Sequence, residues 1–415
     1  MQLGNSYVYH VPDYIQLMTM KIAVIGAKGL PPKQGGIEHY CAEVYPRMVA
    51  EGNSVDLFAR SSYTDYSRSD SYEFKGVQVI PLPGLQMRGV DAFMTSGLGA
   101  IAATINKYDL VHFHALGPSL FTFLPRISPS TKVVVTCQGL DWQRAKWGSF
   151  STRLIQTGEK AAVRFAHGLI VVSDALQNYF WQTYNRSTIY IPNAPASYGE
   201  SDPNFGYGTQ LGLEQGRYIL FLGRLVPEKR PDLLVDAFNA LKLDGWKLVL
   251  AGGVSDTKSF TSQLLEKIAK NREIVFAGEL RGPRLWEIVR GAGLFVLPSD
   301  LEGLPLAMLE AMQEGIPVLA SDIPPHQQLI SGGRGMLFEA GNSDSCIHSL
   351  EWAINHLQEL GAMAKNAQRS VQVNYSWDHI TDETLKLYST LLNSPQQVRI
   401  SEPSESKLAE VVGKK

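Results

Sequence analysis

Short buried-strand runs alternate with helical patterns along most of the chain, and the alternation is interrupted once. Lys21–Gly26 (KIAVIG), Val55–Ala59, Val77–Leu82, Asp109–Ala115, Lys132–Cys137, Leu169–Val172 and Thr188–Ile191 read as strands. Helical patterns fall between them, over Ile37–Met48, 90–106, 118–126, Phe150–Ala166 and Asp174–Gln182. Residues 193–216 then concentrate Gly, Pro, Ser and Asn, the composition of a connection. The alternation restarts with strands at Tyr218–Leu222, Lys247–Ala251, Ile274–Ala277, Leu294–Leu297, Val318–Ala320 and Met336–Phe338. Such alternation implies parallel strands covered by helices on both faces. The chain is therefore expected to form an α/β fold of two Rossmann-like, doubly wound parallel-sheet domains. Ligands of these sheets lie at the carboxyl ends of the strands, so the default site is a cleft between the domains.

At 415 residues the chain exceeds one compact core. The expected division is an extension over 1–20, a first domain over 21–192, a linker over 193–216, a second domain over 217–375, a final helix over 376–392 and a disordered tail over 393–415. Ser376 is placed to cap that last helix, with Ile380, Leu385, Tyr388 and Leu391 on its apolar face. Residues 1–20 lack the basic start and long apolar core of a signal peptide. No apolar run approaches the roughly 18 residues of a membrane span. Three dispersed cysteines, Cys41, Cys137 and Cys346, without a C-x-x-C pair, argue for a reducing compartment and against a disulfide framework or a zinc site. The expected location is cytoplasmic, with peripheral contact at the inner face of the plasma membrane. Net charge is −2, but residues 21–190 carry 17 Lys+Arg against 12 Asp+Glu. A basic first half favours an acidic or membrane-surface acceptor. No nucleic-acid partner is expected.

The stretch Leu297–Met312, LPSDLEGLPLAMLEAM, carries the chemistry. A strand end leads into a polar loop, Ser299–Gly303, and Pro305 suits the first turn of the helix that follows. A glycine beside a helix N-terminus exposes backbone N–H groups to an anion, which the helix dipole also favours. Glu302 in the loop and Glu310 in the helix add carboxylates, which accept hydrogen bonds from hydroxyls. Phosphates and hydroxyls together describe a sugar nucleotide. Taken alone, the same pattern also fits an exposed loop Glu and a solvated helix Glu. Arg224 and Lys229 lie just after strand Tyr218–Leu222, where a diphosphate would need cations. Cations are mildly misplaced at a helix start, which sharpens that reading.

These residues also carry a resemblance. E-G-x-P-x4-E within E-x7-E (Glu302, Gly303, Pro305, Glu310) resembles the donor site of retaining GT-B glycosyltransferases, specifically glycosyltransferase family 4. G-R-x4-K (Gly223, Arg224, Lys229) matches the phosphate-binding motif of that family. The resemblance spans roughly residues 21–392, and the LDWQRAKWG run is similar to a bacterial subgroup associated with polysaccharide assembly. It implies a GT-B fold and a sugar-nucleotide co-substrate, UDP- or GDP-linked, with no metal or other cofactor required. Arg224 and Lys229 would hold the diphosphate and stabilise it as it leaves, Glu302 the donor sugar, and Glu310 the ribose hydroxyls. N–H groups around Gly303-Leu304 would touch the distal phosphate. Gly252-Gly253 and Gly278-Glu279-Leu280, after two further strands, would line the nucleotide pocket, although these glycines equally mark tight turns.

In the first half, Gly26 and Gly29 do not make the G-x-G-x-x-G of dinucleotide folds. Gly35-Gly36 instead opens a helix and is expected near a phosphate or the acceptor. His112 and His114 share one strand face, and the resemblance assigns His114 to the donor sugar or the acceptor. Gln138-Gly139 departs from the family, which commonly has His before this Gly. Gln cannot take a proton at neutral pH, so positioning is the expected role. The segment Trp142–Arg164 interleaves Arg144, Lys146, Arg153, Lys160 and Arg164 with Trp142 and Trp147, either as an exposed helix face or as a membrane contact. The expected activity is retaining transfer of a sugar to a saccharide or lipid-linked acceptor. Two alternatives stand beside it, a GT-B sugar-nucleotide epimerase and a non-catalytic sugar-nucleotide-binding subunit.

Overall fold

The computed structural model describes residues 19–33, 35–64, 70–84, 90–143, 148–254 and 257–393. All but the first residue of the expected tail, and all but the last two residues of the N-terminal extension, lie outside them. The first sheet contains β1 (Lys21–Ile25), β2 (Ser54–Arg60), β3 (Tyr72–Phe74), β4 (Val77–Leu82), β5 (Leu110–His114), β6 (Lys132–Cys137), β7 (Gly168–Val171) and β8 (Ile189–Tyr190). Their order is β3-β4-β2-β1-β5-β6-β7-β8. The second sheet contains β9 (Tyr218–Leu222), β10 (Lys247–Ala251), β11 (Ile274–Gly278), β12 (Leu294–Leu297), β13 (Val318–Ser321) and β14 (Met336–Phe338), in the order β11-β10-β9-β12-β13-β14.

The central strands are buried on both faces because they are nearly all Val, Ile, Leu and Phe. One strand departs from the all-parallel expectation. β3 runs antiparallel to β4 at the sheet edge, joined through Lys75-Gly76. Both turn residues have positive φ, 48° and 85°, the geometry of a tight hairpin.

In both sheets the chain reverses direction beside the first strand. The switch falls between β1 and β5 in one sheet and between β9 and β12 in the other. Loops leaving these four strands diverge and leave a crevice at their carboxyl ends. This rule decides where the site lies.

Helices of the first half are α1 (Gly36–Ala50), α2 (Val90–Ile105), α3 (Ser149–Phe165) and α4 (Asp174–Tyr184). Those of the second are α5 (Gly206–Gln210), α6 (Pro231–Leu241), α7 (Lys258–Ile268), α8 (Pro283–Arg290), α9 (Leu306–Gln313), α10 (Pro324–Ile330), α11 (Ser343–Asn355) and α12 (Leu357–Asn374). α5 lies inside the stretch read as a linker. Phe205 and Leu213 are buried beside it, and Glu287 of α8 accepts the Gly208 amide at 2.8 Å. An apolar pair of anchors thus draws 205–213 into the second domain.

The last helix, α13 (Trp377–Asn393), returns to the first domain and packs on α1. Trp377 Nε1 donates to the Pro195 carbonyl (3.1 Å), and Arg47 Nε donates to Asp378 (2.7 Å). Tyr388 reaches His112 Nδ1 at 2.5 Å. Among the described residues no helix is long and apolar enough to cross a membrane.

Candidate active site

The loops after β9 and β12 flank the second switch point, and they supply the charged residues. Lys229 Nζ donates to Glu302 Oε1 at 2.6 Å, and both side chains are largely buried. Ser299 Oγ donates to the same carboxylate oxygen at 2.9 Å. The Asp300 amide donates to the Glu228 carbonyl (2.9 Å), so the two loops are also tied by backbone. Burial alone would raise the Glu302 carboxyl. The Lys229 ammonium, helped by Ser299, outweighs it and holds Glu302 below the usual carboxylate range. Arg224 is exposed at the end of β9.

Beneath Glu302 lies a buried pair that sequence reasoning missed. Ser321 Oγ donates to the Ser299 carbonyl at 2.5 Å. His326 Nδ1 lies 2.9 Å from the Ser321 carbonyl, so the proton sits on Nδ1. Burial pushes the His326 imidazole down to about 4, despite the nearby Glu302 charge, so it is neutral near pH 7. His326 follows Pro324-Pro325 at the start of α10, and nothing in its spacing points to Glu302.

Glycines at the neighbouring strand ends permit close backbone approach. Gly252 has φ of 149°, and a Cβ there would stand 1.9 Å from the Gly223 carbonyl oxygen. The Gly252 amide donates to the Gly278 carbonyl at 2.7 Å. Gly223 gives room to the Lys229 stem, whose Cδ would be 3.0 Å from an added Cβ. Gly253 lies beside Glu279, which pairs with Arg281 (2.7 Å), and Leu280 packs on the core.

Glu310 sits on α9, eight positions after Glu302. Its Oε2 accepts from the Tyr198 hydroxyl at 3.0 Å. Burial raises the Glu310 carboxyl to about 7, and the bonds from Tyr198 and the Ala196 backbone only partly oppose this.

Two loops of the first domain meet this assembly. A Cβ on Gly303 would stand 2.1 Å from the Gln138 carbonyl oxygen, and one on Gly36 would lie 3.2 Å from Leu306 Cδ1. Gln138-Gly139 and Gly35-Gly36 therefore abut the Gly303–Leu306 turn across the domain boundary. Gln138 is held by an amide pair with buried Asn193, whose Nδ2 donates to Gln138 Oε1 at 2.6 Å. The start of α1 is shaped by Glu38, which accepts the Lys28 amide at 2.9 Å.

His114, which the resemblance assigns to the donor sugar or the acceptor, is packed inside the first domain. Residues 110, 112 and 114 share the sheet face under α1 and α13, and both histidines are wholly buried. Tyr45 of α1 bridges them, 2.9 Å from His112 Nδ1 and 2.7 Å from His114 Nε2. The Tyr40 ring lies 5.2 Å from the His114 ring. Trp142 also turns inward, donating to buried Glu159 at 2.8 Å, so it does not belong to an exposed basic face. Arg144, Lys146 and Trp147 lie outside the described residues. Among the described residues no group of three or more His, Cys, Asp or Glu is arranged to hold a metal ion.

Two family descriptions match the two halves. Glycosyltransferase Family 4 matches residues 34–194, and Glycosyl transferases group 1 matches residues 209–370. The chain belongs to the family 4, group 1 glycosyltransferases. It is similar to the D-inositol 3-phosphate glycosyltransferase of Gordonia bronchialis, with 28% identity over 389 residues that cover 87% of this chain and 85% of the relative. It is also similar to the solved sucrose-phosphate synthase of Thermosynechococcus elongatus, at 20% identity and a TM-score of 0.76, covering 90% of this chain and 99% of that one. A solved Anabaena protein, HepE, in complex with UDP-glucose matches at 19% identity and a TM-score of 0.72, covering 89% of this chain and all of that one. The glycosyltransferase has the GT-B fold, two parallel-sheet α/β domains, and the second family match begins within α5. That start agrees with the packing that joins 205–213 to the second domain.

Proposed function

We propose that the chain is a retaining glycosyltransferase that moves a sugar from a UDP- or GDP-sugar to a hydroxyl of a saccharide or lipid-linked saccharide, in cell-surface polysaccharide or glycolipid synthesis. The observation that carries this reading is the Lys229–Glu302 pair at the second switch point, opposite Gln138-Gly139. Lys229 has three ammonium protons, of which Glu302 takes one, so the others are available to phosphate oxygens. Arg224 adds a second cation for the diphosphate. Gly223, Gly252, Gly253, Gly278, Glu279 and Leu280 line the nucleotide side, and Glu310 accepts from the ribose hydroxyls.

Glu302 spends Oε1 on Lys229 and Ser299, which fixes Oε2 for a hydroxyl of the donor sugar. The Gly303-Leu304 turn meets the distal phosphate. Departure of the nucleotide places negative charge on that phosphate, where Arg224, Lys229 and the start of α9 stabilise it. Because Glu302 is already committed to two donors, it is a poor covalent nucleophile. Attack on the same face as the departing phosphate is the route that fits. Gly35-Gly36 and Gln138-Gly139 shape the acceptor side. Three dispersed cysteines without a C-x-x-C pair support a cytoplasmic location, and the basic balance of the first half suits contact with an anionic inner membrane face.

The UDP-glucose complex of a structural neighbour makes UDP-sugars the first donors to test. Calorimetric titration with UDP, GDP, ADP and dTDP in chelator should show one nucleoside diphosphate binding and Glu310→Ala weakening it. A reaction with an anomerically pure donor, followed by proton NMR of the product, then reports stereochemistry. An inverted product refutes retention, and donor turnover without acceptor to an epimerised sugar favours the epimerase.

A further inference from the structure

The connection between the domains runs through the site rather than around it. Asn193 pairs with Gln138, Pro195 is held by Trp377 of α13, and Tyr198 reaches Glu310. The stretch carrying Tyr198 is fastened to α8 and α9. Gln313 Nε2 donates to the Ala196 carbonyl (3.1 Å), and Arg290 Nη1 donates to the Gly199 carbonyl (2.7 Å). The Tyr198 ring stacks on Trp286 with centroids 6.1 Å apart, and Gly199 passes so close that an added Cβ would lie 2.6 Å from the Trp286 ring. A tyrosine this constrained delivers its hydroxyl to one place.

We propose that Tyr198 is a positioning residue of the nucleotide site, its hydroxyl orienting the Glu310 carboxylate and favouring its ionised form. This rests on the reading of Glu310 as the ribose acceptor. A carboxylate accepts from ribose hydroxyls, whereas its protonated form competes as a donor. A hydrogen bond given to the ionised form stabilises it. The hydroxyl therefore sets both where the lone pairs point and over which pH range they are available. The charged groups that face Tyr198 besides Glu310 are Arg290 on α8 and Glu314, which directly follows α9, and these two are themselves paired at 2.7 Å. Tyr198 is carried by the connection, so displacement of that segment would alter the ribose contact directly.

Tyr198→Phe is the test, since the ring keeps its stack on Trp286 and only the hydroxyl is lost. Carbon-13 NMR of carboxyl-labelled glutamate, with the Glu310 signal assigned by Glu310→Gln, should show a higher titration midpoint in Tyr198→Phe than in the wild type. Calorimetry with the nucleoside diphosphate that binds, and with its 2′-deoxy counterpart, gives the functional readout. If the midpoint rises by about one unit, Tyr198→Phe should bind the ribonucleotide about fivefold to tenfold more weakly near pH 6.5, and the gap should narrow toward about pH 9. The 2′-deoxy nucleotide should show a smaller difference.

An unchanged Glu310 midpoint, or equal weakening at every pH, overturns the proposal. The two readings fail separately. If Glu310→Gln binds as tightly as the wild type, the ribose assignment is lost and the positioning role with it. If Glu310→Gln weakens binding but Tyr198→Phe leaves the midpoint in place, only the role of Tyr198 is lost.

Discussion

Lys229 and Glu302 lie 73 positions apart and meet at 2.6 Å, joined because β9 and β12 are neighbours at the point where the second sheet reverses. Each residue then has two tasks, one in stability and one toward the donor. Lys229→Ala leaves Glu302 largely buried and keeps its hydrogen bond from Ser299. The expected cost is roughly 1–3 kcal/mol, since breaking a buried pair exposes an uncompensated charge. Lys229→Ala/Glu302→Gln should recover part of that cost while transfer stays down by about two orders of magnitude, because the leaving phosphate has lost a fixed cation. Urea unfolding of both singles and the double gives the coupling. Strict additivity would mean that the pair is not coupled in the folded state.

Glu302 and Glu310 should respond to pH in opposite senses. The Glu302 carboxyl is lowered in the fold, so its contribution is present above the unfolded carboxyl value and lost as pH falls through the lower folded one. The Glu310 carboxyl is raised to about 7, so the fold favours its neutral form. That contribution is complete below the unfolded value and is lost as pH rises through about 7. Glu310→Gln is therefore expected to stabilise the protein at pH 8, on the order of 1–3 kcal/mol, and to match the wild type in acid. It should weaken nucleotide binding at the same time. Melting curves of Glu302→Gln and Glu310→Gln across pH check both signs, and parallel curves for the two variants would contradict them.

The glycines separate closure from donor binding. Ala at Gly303 puts a Cβ 2.1 Å from the Gln138 carbonyl, a contact made only across the domain boundary. Gly303→Ala should lower kcat by about tenfold or more, because a small misplacement of reacting groups is costly, and its loss of nucleotide affinity should be the smaller effect, since the backbone N–H groups that meet the distal phosphate are kept. Ala at Gly252 combines a φ of 149° with a 1.9 Å approach to the Gly223 carbonyl within one domain. Gly252→Ala should lower both the melting temperature and nucleotide affinity. Equal behaviour of the two variants in calorimetry would refute this division.

Much of the fold was legible because its signals are local. Runs such as KIAVI at β1 and LFVL at β12 can only be buried strands in so regular an alternation, and G-R-x4-K with E-x7-E mark the loops that follow two of them. The hairpin at Lys75-Gly76 was hidden because its three-residue β3 has no period of its own. Tyr198, Asn193 and His326 were hidden for another reason. Their roles depend on which residue the tertiary fold sets opposite them, and the composition around Tyr198 and Asn193 is that of a connection. His114 lies on the expected strand, but its surroundings were not legible. Alternation assigned its face without saying that Tyr40 and Tyr45 of α1 would cover it.

The buried histidines give the first domain an acid-sensitive seam with the final helix. His112 touches Tyr45, Tyr388 and Thr136, and burial holds its imidazole well below the usual range. Burial lowers His114 to about 3. A base lowered in the fold contributes stability above its unfolded value near 6.5, and that contribution is lost as pH falls further toward the folded value. Each such histidine steepens the acid loss by up to about 1.4 kcal/mol per pH unit. His112→Gln should therefore flatten the fall in stability between about pH 6.5 and pH 4.5. Tyr388→Phe removes one hydrogen bond between α13 and β5 and should cost about 1 kcal/mol at every pH, leaving the slope in place. Denaturant unfolding of the two variants across this range distinguishes the effects. An unchanged slope in His112→Gln would show that His112 does not remain neutral and buried as the acid limb is crossed.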